Sequence, residues 1–83
     1  MHSIEFVASA RKEFLRLSKE DQRRVVAVLE RIRMRPYAFA MRLSGSKAYR
    51  IRAGKLRIIA DILEAPARIV VLRVANRETV YLP

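Results

Sequence analysis

No cysteine occurs in this chain, which excludes disulfide staples and thiolate metal sites. Glycine and proline are scarce, two and three residues, and no linker, repeat or low-complexity tract is visible. The single histidine, His2, stands next to the first residue, a poor place for a catalytic imidazole. No apolar run approaches the ~20 residues that span a bilayer. Residues 1–7 lack the basic and long apolar regions of a signal peptide. A cytoplasmic protein with no membrane partner is expected. Acids are also few, 8 against 18 lysines and arginines, leaving a formal net charge of +10.

That imbalance favours polyanions: RNA, DNA or an acidic protein. The 83 residues imply a single domain spanning 1–83. A chain of this size buries about 60% of its unfolded surface, so its core is thin. The hydrophobic share of 52% is nevertheless enough for a real core and argues against disorder.

Residues 4–7 read as a short strand. Ala10, Phe14 and Leu17 then share one face of a helix. Ser18 with Asp21 three residues later is a capped helix start. Val25, Val26, Leu29 and Ile32 follow at helical spacing until Pro36 stops the pattern. Residues 36–46 form a connection containing Tyr37, Phe39 and Leu43. Two strands follow, and the turn Glu64-Ala65-Pro66-Ala67 leads into residues 69–74. That run is apolar on both faces and β-branched, as a strand near a sheet centre should be. Residues 79–82 have room for a last short strand. The order β-α-α-β-β-β predicts an α+β fold, with two N-terminal helices packed on one face of a mainly antiparallel four-stranded sheet. Tyr49, Ile51, Leu56, Ile58, Ala60, Val70, Leu72 and Val74 are the expected core face of that sheet.

The stretch from Tyr49 to Ala60 alternates apolar and basic residues on both sides of Gly54. Successive strand side chains point to opposite faces. With Ala53 and Gly54 as the turn, Arg50 lies across from Arg57 and Arg52 across from Lys55. If Ile58 then pairs with Leu72, Arg73 meets Arg57 on the same face. Like charges directly opposite one another are destabilising. Four cations on one hairpin face with no acid among them are better explained by an anionic ligand than by folding. The leading candidate is a nucleic-acid phosphate backbone. Arg50, Arg52, Lys55, Arg57 and Arg73, with Lys47 beside them, are the expected RNA-binding residues. Arg11, Arg16, Arg23, Arg24 and Arg31 read as a solvated helix face.

Leu43-Ser44-Gly45, the run from Tyr49 to Ile59, and Val74-Ala75-Asn76-Arg77-Glu78-Thr79-Val80-Tyr81 together resemble the RelE/ParE toxin superfamily, and the ending most resembles its RelE branch. The resemblance covers essentially the whole chain. It implies the toxin of a prokaryotic toxin–antitoxin pair that inhibits translation by cutting mRNA in the ribosomal A site. In that chemistry the ribose 2′-hydroxyl attacks the adjacent phosphate, with no metal and no cofactor. The resemblance assigns the catalytic positions to Arg50, Arg52, Arg57, Arg77 and Tyr81. It also implies as partners the ribosome, mRNA and a small acidic antitoxin from an adjacent gene.

The sequence departs from the family pattern at definite places. Arg50 and Arg52 stand where RelE-like strands often carry lysine. Arginine, with a pKa above ~12, stabilises charge but is a poor general base. Ala75 replaces a glycine, Asn76 a histidine or lysine, and the chain ends at Pro83 where some relatives add a helix. Two other functions compete. One is a ParE-like inhibitor of DNA gyrase, whose branch typically ends in a histidine-glycine-arginine run rather than Ala75-Asn76-Arg77. The other is a non-catalytic nucleic-acid-binding relative.

Overall fold

The computed structural model describes residues 1–43, 45 and 47–76. The elements run β1 (Ser3–Phe6), α1 (Ala8–Leu15), α2 (Lys19–Ile32), α3 (Pro36–Phe39), β2 (Met41–Arg42), β3 (Tyr49–Ala53), β4 (Leu56–Glu64) and β5 (Ala67–Asn76). The fold is α+β. Its sheet has five strands in the order β1-β5-β4-β3-β2, rather than the four expected. It is also mixed, because β1 runs parallel to β5 while the other three pairings are antiparallel. The added strand, β2, is two residues long, too short to leave a period in the sequence.

Helix α2 begins where the sequence indicated. The Ser18 side chain accepts the Asp21 backbone N–H at 3.1 Å, and Glu20 and Asp21 sit in the first turn, where the helix dipole favours acids. Its buried stripe is Val25, Leu29 and Ile32, while Val26 lies off the stripe and is 48% exposed. Helix α1 contributes the buried Ala10 and the part-buried Phe14, whose ring stands 5.5 Å from that of Phe6. Both helices join one core with Ile51, Ala53, Leu56, Ile58, Ala60, Ile69, Val71 and Val74, so they cover the same face of the sheet. The largest fully buried side chains are all Ile or Val: Ile32, Ile51, Ile58, Ile69, Val25, Val71 and Val74. Each contributes roughly 1.5–3 kcal/mol on burial. Their stiff χ1 angles limit the rotamer entropy lost in forming so small a core.

Two registers differ from expectation. The β3–β4 turn is Gly54-Lys55, so Ala53 pairs with Leu56, Arg52 with Arg57, and Arg50 with Ile59. Gly54 takes φ +63° and, among the described residues, no non-glycine residue has positive φ, so only the first central residue of the turn needs the left-handed region. The shift is an even number of residues, so every side chain keeps its face. Between β4 and β5, Ile58 pairs with Val74 rather than Leu72, and Arg73 faces Ile59 rather than Arg57. A bulge after Ile59 moves the pairing by one residue. A one-residue slip reverses the faces. Ile69 and Val71 therefore point into the core, and Val70 and Leu72, expected there, are only half-buried.

Candidate nucleic-acid interface

With both helices on one face of the sheet, the other face carries the alternate residues of the same strands. On β3 these are Arg50 and Arg52, and on β4 Arg57 and Ile59. Met41 of β2 pairs with Arg50 and so lies on this face too. Arg52 is exposed and Arg50 half-buried. Arg57 is 3% exposed, the one buried charged residue among those described, where an accessible side chain was expected. Arg52 and Arg57 are direct cross-strand partners. Side chains so placed stand about 5 Å apart at Cβ, close enough for two guanidiniums to act on one phosphate diester.

Lys55 and Arg73, expected in the same group, are engaged elsewhere. Lys55 sits in the turn, its Nζ 3.7 Å from Asp21 Oδ2 at the start of α2. The hairpin tip thus leans on α2, and a Cβ at Gly54 would lie 2.6 Å from Arg24 Nη1. Arg73 donates from Nε to Glu13 Oε2 at 3.0 Å, while the other Glu13 oxygen accepts the Val74 N–H at 2.9 Å. Glu13 therefore satisfies both the arginine and the backbone of β5 beyond the end of its pairing with β1. Lys47 is exposed but lines a different cleft, with Arg42, Tyr49 and Asp61. The structure brings together Arg50, Arg52 and Arg57 out of the longer set. Arg77 and Tyr81 lie outside the described residues.

Sequence reasoning missed Phe39 and Met41. With Arg50 and Arg52 they line a shallow cleft of about 330 Å³ on the basic face. Arg50 Nη2 lies 3.3 Å from Met41 Sδ. Phe39 ends a helix of four residues and Met41 starts a strand of two, so neither leaves a period that the sequence could show.

A second cluster gathers at the far end of β4. The Tyr37 hydroxyl donates to Glu64 Oε2 at 2.5 Å, and His2 Nε2 lies 2.9 Å from the same oxygen. The hydrogen bond to Glu64 pushes the Tyr37 hydroxyl up to about 12 and holds the Glu64 carboxyl below the usual range. The Tyr37 ring meets Tyr49 edge-on at 5.7 Å, and the Arg42 guanidinium lies 5.9 Å from the Tyr49 ring centre. His2 is not a loose terminus, because its backbone exchanges hydrogen bonds with the Arg33 carbonyl and guanidinium. This cluster ties the first residues, α3 and the end of β4 together. Among the described residues, no group of three His, Cys, Asp or Glu side chains is placed to hold a metal ion. Among them, too, no helix is long and apolar enough to cross a membrane.

No family model and no curated protein matches the chain. Solved structures do match it. The toxin–antitoxin complex RelBE2 from Mycobacterium tuberculosis has a TM-score of 0.83 at 22% identity, over 92% of this chain and 98% of that one. The archaeal RelE–RelB complex from Pyrococcus horikoshii gives 0.79 at 21% identity, over 94% and 97%. The isolated RelE toxin of Escherichia coli gives 0.80 at 20% identity, over 98% and 92%. The fold of this chain is that of the RelE/ParE toxin structures.

Proposed function

We propose that this chain is the toxin of a toxin–antitoxin pair and acts as a ribosome-dependent endoribonuclease on mRNA in the A site. The observation that carries the reading is the meeting of Arg50, Arg52 and Arg57 on the sheet face that the helices leave uncovered. The likeness of the whole fold to RelE toxins supports it.

In this chemistry the 2′-hydroxyl oxygen attacks the neighbouring phosphorus. The bond to the 5′-oxygen breaks, leaving a 2′,3′-cyclic phosphate and a 5′-hydroxyl. Negative charge grows on the non-bridging oxygens and the leaving oxygen. Preorganised guanidiniums stabilise it, and their planar fork matches phosphate geometry. In the proposed division of roles, Arg57 clamps the scissile phosphate and Arg50 and Arg52 hold the flanking strand. By position in the sequence, Arg77 meets the charge of the transition state, and Tyr81 stacks on a base or orients the 2′-hydroxyl. The arginines supply charge and not proton abstraction. A net charge of +10 calls for an acidic partner, and the similar RelBE2 and RelE–RelB structures are complexes with antitoxins. A small acidic antitoxin is the proposed partner of this chain.

The test is to add purified protein to ribosomes programmed with a defined mRNA and map the 3′ ends. Cuts at the A-site codon, absent without ribosomes and lost in Arg57→Ala, are expected. Intact mRNA from folded protein would overturn the nuclease reading, and gyrase supercoiling would then be assayed for the ParE-like alternative.

A further inference from the structure

Phe39 and Met41 are 48% and 62% exposed, although each is a large apolar side chain. Neither belongs to the core. Both are on the face that carries the arginines, and with Arg50 and Arg52 they form the walls of one cleft. Met41 is fixed there by its pairing with Arg50, and Phe39 by the short helix that Pro36 starts. A cleft lined by two apolar side chains and two arginines suits a ligand that is flat and apolar in one part and anionic in the next. An acidic peptide offers both only where an aromatic residue adjoins its carboxylates. An unpaired nucleobase on its sugar–phosphate offers both, and every base has a face that stacks on an aromatic ring. Thioether and guanidinium groups also pack well against aromatic faces.

We propose that this cleft holds one unpaired base of a single-stranded RNA, stacked on Phe39 and flanked by Met41, while Arg50 and Arg52 hold the phosphates on either side of it. The inference rests on the RNA-binding part of the function proposed above. It adds a base-binding subsite beside the arginines, on β2 and the segment before it. The base it holds is a neighbour of the scissile step, because Arg52 reaches both this cleft and Arg57.

The experiment uses the whole purified protein and a short 2′-O-methyl RNA, which cannot be cut, carrying one 2-aminopurine. A second oligonucleotide has an abasic site at that position. The 2-aminopurine fluorescence should fall on binding, since stacking quenches it. Phe39→Ala should weaken binding of the base-bearing strand by on the order of 5- to 100-fold and abolish the quench. It should leave affinity for the abasic strand unchanged, and Phe39→Trp should keep both quench and affinity. Arg52→Ala should weaken both strands alike. Equal weakening of both strands by Phe39→Ala, no effect of it on either, or no binding of the oligonucleotide by the unaltered protein would each overturn the proposal. No ribosome is present, so failure of A-site cutting and failure of this subsite are read separately.

Discussion

Salt dependence distinguishes the cationic face seen in the structure from the longer one suggested by the sequence. For single strands, the logarithm of the binding constant falls with the logarithm of salt concentration by about 0.7 per phosphate contact. Six contacts, from Arg50, Arg52, Lys55, Arg57, Arg73 and Lys47, would give a slope near −4. The structure engages Lys55 with Asp21 and Arg73 with Glu13, and sets Lys47 in another cleft. Among the described residues three contacts remain, Arg50, Arg52 and, once the ligand reaches its buried guanidinium, Arg57, which together contribute a slope near −2. A fourfold rise in salt should then weaken binding roughly 20-fold, rather than roughly 300-fold. Fluorescence anisotropy with a 2′-O-methyl RNA over a range of NaCl concentrations measures this. Arg52→Gln should flatten the slope by about 0.7, while Lys55→Gln and Arg73→Gln leave it unchanged. Equal flattening by all three substitutions would refute the division of the cations drawn from the ion pairs.

Two further predictions concern the scaffold. Tyr37 should ionise at about pH 12, and Glu64→Gln should bring it back toward 10 in an ultraviolet titration of tyrosinate. Because folding raises this value and lowers that of Glu64, the Tyr37–Glu64 bond contributes fully from above the usual carboxylate range up to pH 10, and is lost as pH rises toward 12 or falls through the lowered Glu64 value; a titration that Glu64→Gln leaves unchanged would contradict it. Gly54→Ala forces an L-residue into φ +63° and should cost about 1–2 kcal/mol, a fall in Tm of roughly 4–16 °C. The clash with Arg24 involves a flexible side chain, so a cycle with Arg24→Ala should show coupling below ~0.5 kcal/mol, and coupling well above 1 kcal/mol would mean the hairpin tip is held rigidly.

What was legible in the sequence was whatever repeats with the period of its element. The α2 stripe and the alternation of β3 have such a signature, and the Ser18 cap has a local one of its own; all three are present, with Val26 alone falling off the expected stripe. The turn residue was misplaced by one, yet the faces survived, because that shift moves the pairing by an even number. The β5 bulge had no such protection. Residues 69–74 are apolar on both faces, so nothing in their pattern marks where the alternation breaks, and Val70 and Leu72 were assigned to the wrong side. Ion pairs across the fold were invisible for a different reason. Glu13 and Arg73 are sixty residues apart, and only the packing of α1 on β5 brings them together. The same holds for Asp21 and Lys55, which meet because the hairpin tip leans on α2. Strand β2 and its contribution of Met41 were too short to read.

The arrangement of arginines has a cost that bears on its use. Arg52 lies directly across from Arg57, and Arg57 is buried. Like charges so paired destabilise a sheet by a few tenths to about 1 kcal/mol, and desolvating a cation adds to that. An ammonium in this position readily sheds its proton to escape the penalty, whereas a guanidinium keeps its charge. Arginine is therefore the cation that remains positive at a buried, crowded point of the sheet. The same property removes it as a proton acceptor. A face built this way would act on a phosphate through charge and hydrogen bonds rather than proton abstraction, and would be relieved of its own repulsion when a polyanion arrives. Any ligand that binds only the folded chain raises its stability by mass action, by about 2.7 kcal/mol at a hundredfold excess over Kd. RNA and an acidic antitoxin would both stabilise this thin-cored protein through the same three side chains, so each should displace the other.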